Sequence, residues 1–281
     1  NFNYQNLYTD LSLVFRDNYL RNSSYIGLNK QEKSNSIFTA ISYRSKIISS
    51  ELSVRQEYNT EMTIPLIPSV SFELNYLKMK LRARVNKNFR APTFNDRFWI
   101  SSGANGNPDL KAENGINKEI GIDYNIDGFS NNITLFSLEV NDWILWNRQD
   151  NGGWFPENLK KVHSKGLELK SVFKTKYKNV NIFQELNYQY NLSVNQIGIS
   201  PLDASVGSQL IYSPKHKGNI NTQFMYKKLN FNVNSSFVGS VFTSSDNLHK
   251  LDSYILTNLW IKYNITNLKT DLSFIVKNIF N

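Results

Sequence analysis

Residues 77–86 read Leu77-Lys78-Met79-Lys80-Leu81-Arg82-Ala83-Arg84-Val85-Asn86, an unbroken alternation of apolar with basic or amide side chains. A strand sends successive side chains to opposite faces. Leu77, Met79, Leu81, Ala83 and Val85 therefore share one face, and Lys78, Lys80, Arg82, Arg84 and Asn86 the other. A run of basic and amide positions down one face suits a water-filled lumen better than the modestly polar outer side of a soluble sheet. The expectation is that Lys78, Lys80, Arg82 and Arg84 point into a lumen while Leu77, Met79, Leu81 and Val85 face lipid. A lipid-facing Arg or Lys near the bilayer midplane costs ~2–4 kcal/mol.

The same period of two recurs on both sides of this stretch. Residues 48–58 put Ile48, Ser50, Leu52, Val54, Gln56 and Tyr58 opposite Glu51, Ser53, Arg55 and Glu57. Residues 180–192 set Val180, Ile182, Leu186, Tyr188, Tyr190 and Leu192 against Asn181, Glu185, Asn187, Gln189 and Asn191, and residues 229–237 alternate Leu229, Phe231, Val233 and Phe237 with Asn230, Asn232, Asn234 and Ser236. About thirteen strands follow from this pattern, with no amphipathic helix: 6–17, 36–45, 47–59, 67–76, 77–88, 115–126, 131–143, 165–175, 180–193, 217–227, 229–240, 252–264 and 268–279. Many exceed the ~5–6 residues common in soluble proteins and approach the ~9–11 that cross a bilayer at a tilt. Their connections alternate. Short turns fall near 45–47, 76–77, 126–130, 176–179, 227–228 and 265–267. Long segments fall at 18–35, 60–66, 89–114, 144–164, 194–216 and 241–251. Short turns on one rim and long loops on the other point to an all-β, antiparallel transmembrane β-barrel.

Composition agrees without deciding. The 281 residues are 40% hydrophobic and 14% aromatic, including 15 Tyr, 18 Phe and 5 Trp. Mean hydropathy is −0.43, and no run approaches the roughly 18 apolar residues of a spanning helix. Hydropathy is nearly blind to barrels, whose strands alternate lipid-facing and lumen-facing residues. The absence of cysteine excludes disulfides, Cys-ligated zinc and thiol catalysis. The net charge of +9 comes from 32 scattered Lys and Arg. With no polybasic block or nucleic-acid motif, it fits an anionic lipid surface or a lumen lining better than nucleic acid. Asn1-Phe2-Asn3-Tyr4 has no Met, charged run or apolar core of a signal peptide, so a mature chain or a fragment is expected.

Catalytic chemistry is not visible. His163, His216 and His249 sit in loop-like or turn-like segments, none with a His, Cys or acidic partner at ligand spacing. There is no Gly-x-Ser-x-Gly, phosphate loop or dinucleotide glycine pattern. Asp109 and Glu113 are better explained by turn and rim roles than as a glycosidase pair. No enzyme, metal site or cofactor is expected.

Beyond residue 86 come three blocks: Asn88-Phe89-Arg90-Ala91-Pro92-Thr93-Phe94, then Gly106-Asn107-Pro108-Asp109-Leu110-Lys111-Ala112-Glu113, then Ile116-Asn117-Lys118-Glu119-Ile120-Gly121-Ile122-Asp123-Tyr124. Locally, Pro92 ends a strand and Asn107-Pro108-Asp109 makes a turn. Jointly, in this order, the blocks resemble the TonB-dependent outer-membrane receptors, with Phe89, Arg90, Ala91, Pro92, Gly106, Asn107, Pro108, Asp109, Leu110, Lys111, Glu113 and Glu119 as the shared motif. The resemblance implies a barrel of about 22 strands around an N-terminal plug. Residues 1–281 would then be a partial barrel, roughly strands 9–21, with the plug, the first strands and the last strand outside this chain. Ser273-Phe274-Ile275-Val276-Lys277-Asn278-Ile279-Phe280-Asn281 is similar to the family's penultimate strand.

By the same resemblance the protein imports a scarce metal chelate across the outer membrane of a Gram-negative bacterium. TonB acts through the N-terminal part, outer-membrane lipid surrounds the barrel, and a surface lipoprotein is a further expected partner. Asp142-Trp143-Ile144-Leu145-Trp146, Trp154-Phe155-Pro156-Glu157-Asn158 and Gly166-Leu167-Glu168 are similar to the vitamin B12 receptor branch. Loop 89–114 with 116–121 is equally similar to catecholate-siderophore receptors. A corrinoid such as vitamin B12 is the first expectation and a ferric siderophore the second. A surface all-β adhesion or binding protein is the rival of another class. Arg97, Trp99, Trp146, Arg148, Trp154 and Phe155 are the candidate ligand contacts, because Trp and Arg clustered on one rim suit stacking on flat ligands and holding anionic groups. The competing reading places Trp143 and Trp146 in an aromatic interface belt and leaves Trp154 packing its own loop.

Overall fold

A computed structural model describes residues 2–27, 29–149, 152–198 and 203–280. Its strands are β1 (Phe2–Tyr4), β2 (Leu7–Arg21), β3 (Asn29–Arg44), β4 (Ile48–Asn59), β5 (Ile67–Tyr76), β6 (Met79–Arg90), β7 (Glu113–Ile126), β8 (Phe129–Arg148), β9 (Trp154–Tyr177), β10 (Val180–Ile197), β11 (His216–Tyr226), β12 (Leu229–Val238), β13 (Val241–Phe242), β14 (Lys250–Leu251), β15 (Tyr254–Ile265) and β16 (Thr270–Val276). Fourteen form one sheet in the order β1 to β12, then β15 and β16, while β13 and β14 pair only with each other. Every pairing is antiparallel, and nearly every neighbour in the sheet is a neighbour in sequence. This is the hairpin-after-hairpin connectivity of a barrel wall.

The thirteen expected strands are all present, and the three-residue β1 adds a fourteenth to the sheet. The pleat sorts their side chains as the alternation requires. Cross-strand partners share a face, so the ladder Leu74, Leu81, Ile122, Ile133 and Leu169 forms one outward row. The next outward row is Phe72, Ala83, Ile120, Leu135 and Leu167. Leu11, Phe15, Ile41, Leu52, Ile120 and Leu135 are all exposed, whereas Ser34, Ser42, Ser53, Thr134 and Ser164 are buried among wall neighbours on the other face. A soluble fold cannot leave so continuous an apolar face to water; a barrel gives it to lipid. Tyr76, Tyr124, Tyr177, Tyr226 and Tyr263 stand outward at the short-turn end of five strands, where an aromatic belt belongs.

Lys80, Arg82 and Arg84 lie on the inner face as expected. Lys80 Nζ is 3.2 Å from Glu73, Arg82 is 3.0 Å from Asp123, and Arg84 stands opposite Glu119 in the ladder. Met79, Leu81 and Val85 are exposed outward. Lys78 and Leu77 are corrections: β6 starts at Met79, so both lie in the turn before it, with Leu77 at φ 54°. Four further boundaries, in two hairpins, moved for one physical reason. β2–β3 and β8–β9 continue well past the expected ends, to Arg21, Asn29, Arg148 and Trp154. Above the membrane both faces of a hairpin are solvated, so the ladder persists although the alternation does not. His163 and His216 accordingly lie in strands rather than loops. Loop 91–112 holds a short helix, α1 (Phe94–Phe98), that periodicity over so few residues does not reveal.

Candidate functional site

The loop-bearing rim is built around the motif. β6 ends at Arg90; Ala91-Pro92 breaks the ladder, and Thr93 starts α1 with a capping box. Thr93 Oγ1 accepts from the Asp96 N–H at 3.1 Å, and the Thr93 N–H donates to Asp96 Oδ2 at 2.9 Å. Asp96 also accepts the Trp146 indole N–H at 2.8 Å and lies 3.6 Å from Arg90. Arg90 pairs in turn with buried Glu113, whose Oε1 accepts the Ile144 N–H at 2.8 Å. One chain of charge-assisted bonds thus clamps β6, α1, β7 and β8 together.

The second block continues the clamp. A Cβ on Gly106 would lie 2.7 Å from backbone atoms of Arg97 and Phe98, so only glycine fits there. Its N–H reaches Trp99 O at 2.7 Å, and the Asn107 N–H reaches Asp96 O at 2.8 Å. Asn107 Oδ1 accepts the Asp109 N–H at 3.0 Å, the Asx turn expected of Asn-Pro-Asp. Asn107 Nδ2 donates to Pro156 O at 3.2 Å, and Asn158 exchanges bonds of 2.9 and 3.1 Å with the Lys111 backbone. The motif folds the loop onto β9 rather than offering free groups to solvent.

The six candidate ligand contacts divide by geometry. Arg97 is 7% exposed and lies 3.4 Å from Glu32 and 3.2 Å from Glu61, with its guanidinium over the Phe98 ring at 4.5 Å. Trp99 meets Tyr25 edge-on at 5.6 Å, and the Trp146 N–H is already committed to Asp96. Arg148 is exposed at the tip of β8, and Trp154 and Phe155 are half-buried at the start of β9. Trp154 and Phe155 line a hollow of about 370 Å³ with Ser102, Gly103, Ala104 and Gln149. The Trp154 ring lies 6.3 Å from Tyr212. Loops 89–114 and 144–164 do meet: the Trp154 N–H reaches Gly103 O at 2.9 Å, and the Asn105 N–H reaches Trp154 O at 3.0 Å.

Below the rim, the inner wall encloses a polar hollow of about 650 Å³ whose lining includes Arg82, Asn117, Glu119, Asn132, Glu168, Gln189 and Asn191. Its floor partners are internally bonded, Gln189 Nε2 to Glu168 at 3.0 Å and Asn132 Nδ2 to Asp123 at 2.5 Å. Leu210 and Ile211, from the segment before β11, line its upper part with Trp143 and Leu145. Leu210 packs on Leu159 and Val162, where Trp143 and Leu145 close the cluster. Gln209 Oε1 ties that segment to the wall by accepting the Ser193 N–H at 3.1 Å, while its Nε2 donates to Ser213 O within the segment at 3.0 Å. These amide and hydroxyl residues were missed as candidates; the signal was the polar half of the 180–192 alternation. Among the described residues, no group of three or more His, Cys, Asp or Glu is placed to hold a metal ion.

The family model described as "TonB dependent receptor-like, beta-barrel" matches residues 1–279. A vitamin B12 transporter BtuB of Photobacterium profundum is 27% identical over 194 residues, covering 68% of this chain and 30% of that transporter. The BtuB of Vibrio vulnificus (strain YJ016) is 27% identical over 262 residues, 90% of this chain and 39% of its own. Among solved structures, the siderophore receptor PirA from Pseudomonas aeruginosa superposes with TM-score 0.71 at 15% identity, over 98% of this chain and 50% of PirA. The FrpB iron transporter from Neisseria meningitidis gives 0.69 at 13% identity, over 99% and 49%. The chain thus spans less than two fifths of the curated relatives and about half of the solved receptors it matches, and the structural likeness speaks for fold alone.

Proposed function

The chain belongs to the TonB-dependent receptor β-barrel family, whose barrels stand in the outer membrane of Gram-negative bacteria, and on that premise we propose that it forms part of the wall and rim of a receptor importing a corrinoid such as vitamin B12. The observation that carries the substrate is the similarity to B12 transporters across up to 90% of this chain. The rim is chemically compatible. Trp154 and Phe155 give apolar faces beside the hollow, and Arg148 gives an exposed positive charge at the same hairpin tip. A neutral-to-anionic chelate with a broad ring can use both.

In this reading the mechanism is binding and gating, not catalysis. Arg97, Trp99 and Trp146 act with the motif residues to hold the loops at a fixed height. Arg148, Trp154 and Phe155 meet the ligand, and the amide-rich inner wall offers a wet path below them. An energised inner-membrane partner of the TonB kind would act through a plug outside this chain. Import of a ferric siderophore is the second reading, supported by the loop that follows Pro92. Calorimetry on the intact receptor decides: cyanocobalamin is expected to bind tightly and a ferric catecholate not at all. The reverse result overturns the corrinoid assignment and leaves the transporter assignment standing.

A further inference from the structure

The two rims of the wall carry opposite charge. Seven tight turns close the short-turn rim, at residues 5–6, 45–47, 77–78, 127–128, 178–179, 227–228 and 266–269. They hold Lys46, Lys78, Lys178, Lys227, Lys228 and Lys269 against Asp127 alone, so +5 of the chain's net +9 lies there. The segments of the loop-bearing rim, 22–28, 60–66, 91–112, 149–153, 198–215 and 239–253, hold seven Asp and Glu against four Lys and Arg. A basic composition alone would not sort itself by rim. All six lysines are exposed, and among the described residues none of them forms an ion pair. Asp271, the acid just past the last turn, is taken by Lys262 at 2.7 Å.

Backbone preference does not explain these lysines. Lys178, Lys227 and Lys269 have φ of 51°, 51° and 48°, in the left-handed region where glycine, asparagine and aspartate are the low-cost residues. Gly128 fills such a position in the turn between β7 and β8, with φ 72°. Position and spacing select the occupant. Tyr76, Tyr177 and Tyr226 take the last outward ladder position before their turns, at the lipid interface, and the lysines follow on the aqueous side. In outer-membrane barrels the short turns face the periplasm. From the β3–β4 turn to the β15–β16 turn the rim crosses ten strand spacings. At ~4.8 Å between strands tilted by ~45°, that is roughly 70 Å. A protein–protein interface of standard size, ~800 Å² per partner, is ~30 Å across and meets only two or three of these tips. An extended polymer lying parallel to the membrane meets them all.

We propose that the short-turn rim docks onto peptidoglycan, with Lys46, Lys78, Lys178, Lys227, Lys228 and Lys269 meeting the carboxylates of its stem peptides. The proposal goes beyond the import reading: it needs the outer-membrane placement and not the identity of the imported ligand. Each exposed ion pair is weak, and attachment comes from many such contacts along one polymer. The test is co-sedimentation of the full-length receptor, purified in an uncharged detergent, with graded amounts of purified peptidoglycan sacculi. Lys46→Gln, Lys78→Gln, Lys178→Gln, Lys227→Gln, Lys228→Gln and Lys269→Gln together are expected to weaken binding at least about tenfold, at roughly a factor of two per exposed pair. The same six positions changed to Arg are expected to keep parental binding. Sacculi with amidated carboxylates are expected to lose the parent protein, and raised salt to release it.

Equal sedimentation of the Gln and parent proteins overturns the proposal, as attachment through a segment outside this chain would produce. Indifference to amidation of the carboxylates overturns it too. Capture of the parent by phosphatidylglycerol vesicles, with none by sacculi, sinks it in favour of the inner lipid leaflet. Heat-modifiable migration monitors assembly. Should the sixfold variant not assemble, Lys46→Gln/Lys78→Gln/Lys178→Gln and Lys227→Gln/Lys228→Gln/Lys269→Gln are each expected to bind several-fold more weakly, and parental binding by both overturns the proposal. Unchanged calorimetry with cyanocobalamin and ferric catecholate in the Gln variant separates this rim from the import site.

Discussion

Glu113 shows how one side chain can hold a rim together. Its carboxylate is buried, joined to Arg90, and accepts the Ile144 N–H at 2.8 Å. Removing it would take one carboxylate from the half-exposed Arg90, which keeps Asp96, and leave the buried Ile144 N–H without an acceptor. Glu113→Ala is therefore expected to destabilise by about 1–3 kcal/mol, with Glu113→Gln intermediate because an amide oxygen still accepts from Ile144. Urea midpoints in detergent would check this, and equal midpoints for the Ala variant and the parent would refute the clamp. The sequence showed Glu113 as a motif member but not this bond. The bond depends on Asp142 adopting φ 56° between ladder residues Asn141 and Trp143, an irregularity that alternation does not encode. Leu77 makes the opposite case. It is 90% exposed and left-handed at φ 54° in a turn, a conformation that costs a non-glycine residue roughly 1–2 kcal/mol. Leu77→Asn tolerates that conformation and is expected to stabilise by roughly 0.5–1 kcal/mol; an unchanged or lowered midpoint would argue against strain at the turn.

Among the elements, strands were legible and loops were not. Period two survives wherever one face meets lipid and the other water, so β4 (Ile48–Asn59) and β5 (Ile67–Tyr76) fell within a residue of their expected places. Above the bilayer nothing forces alternation, and the upper parts of β2, β3, β8 and β9 read as loop. The clamp of loop 91–112 was visible only as a resemblance, because its bonds join residues far apart in sequence, such as Asn107 with Pro156. Gly106 tests the element. Gly106→Val would drive a side chain into the backbone of α1, where the Cβ alone would come within 2.7 Å. The expected result is an assembled barrel whose loop 91–112 becomes protease-sensitive; resistance equal to the parent's would show that the loop adapts. The segment 239–253 responds to acid instead. Asp246 accepts from Ser244 Oγ at 2.5 Å and from the Leu248 N–H at 3.0 Å, and the Ser244 hydroxyl, then that N–H, hold its carboxyl below the usual range. A lowered pKa contributes order above the ordinary carboxylate range that is lost as pH falls through the lowered value. The protection factors of the Leu248 and His249 amides, taken against the intrinsic exchange rate at each pH, should therefore fall in acid, and Asp246→Asn should remove that pH dependence. Protection that stays constant with pH in the parent would assign the segment's order elsewhere.

At the scale of the molecule, the wall is an inverted globule, with exposed leucines and isoleucines on one face and bonded amides and charges on the other. That inversion makes two equal substitutions at similar heights unequal in cost. Leu135 points outward and is half-exposed. It lies six residues above Phe129, which begins β8 at the short-turn rim. At ~3.3 Å per residue and a tilt of ~45° this is about 14 Å, close to the middle of a ~25 Å apolar band. Gln189 belongs to the adjacent inward row and donates to Glu168 at 3.0 Å. Leu135→Arg places a cation in hydrocarbon with no partner and is expected to cost ~2–4 kcal/mol. Gln189→Arg places the same cation in water beside a carboxylate, an exposed pair worth at most about 1 kcal/mol either way. The readout is the amount of heat-modifiable receptor recovered from outer membranes, with the unfolding midpoint of each purified form. Loss for Leu135→Arg and near-parental recovery for Gln189→Arg are expected. Were both tolerated equally, the outward face would be meeting water, and the transmembrane assignment of this sheet would fail with it.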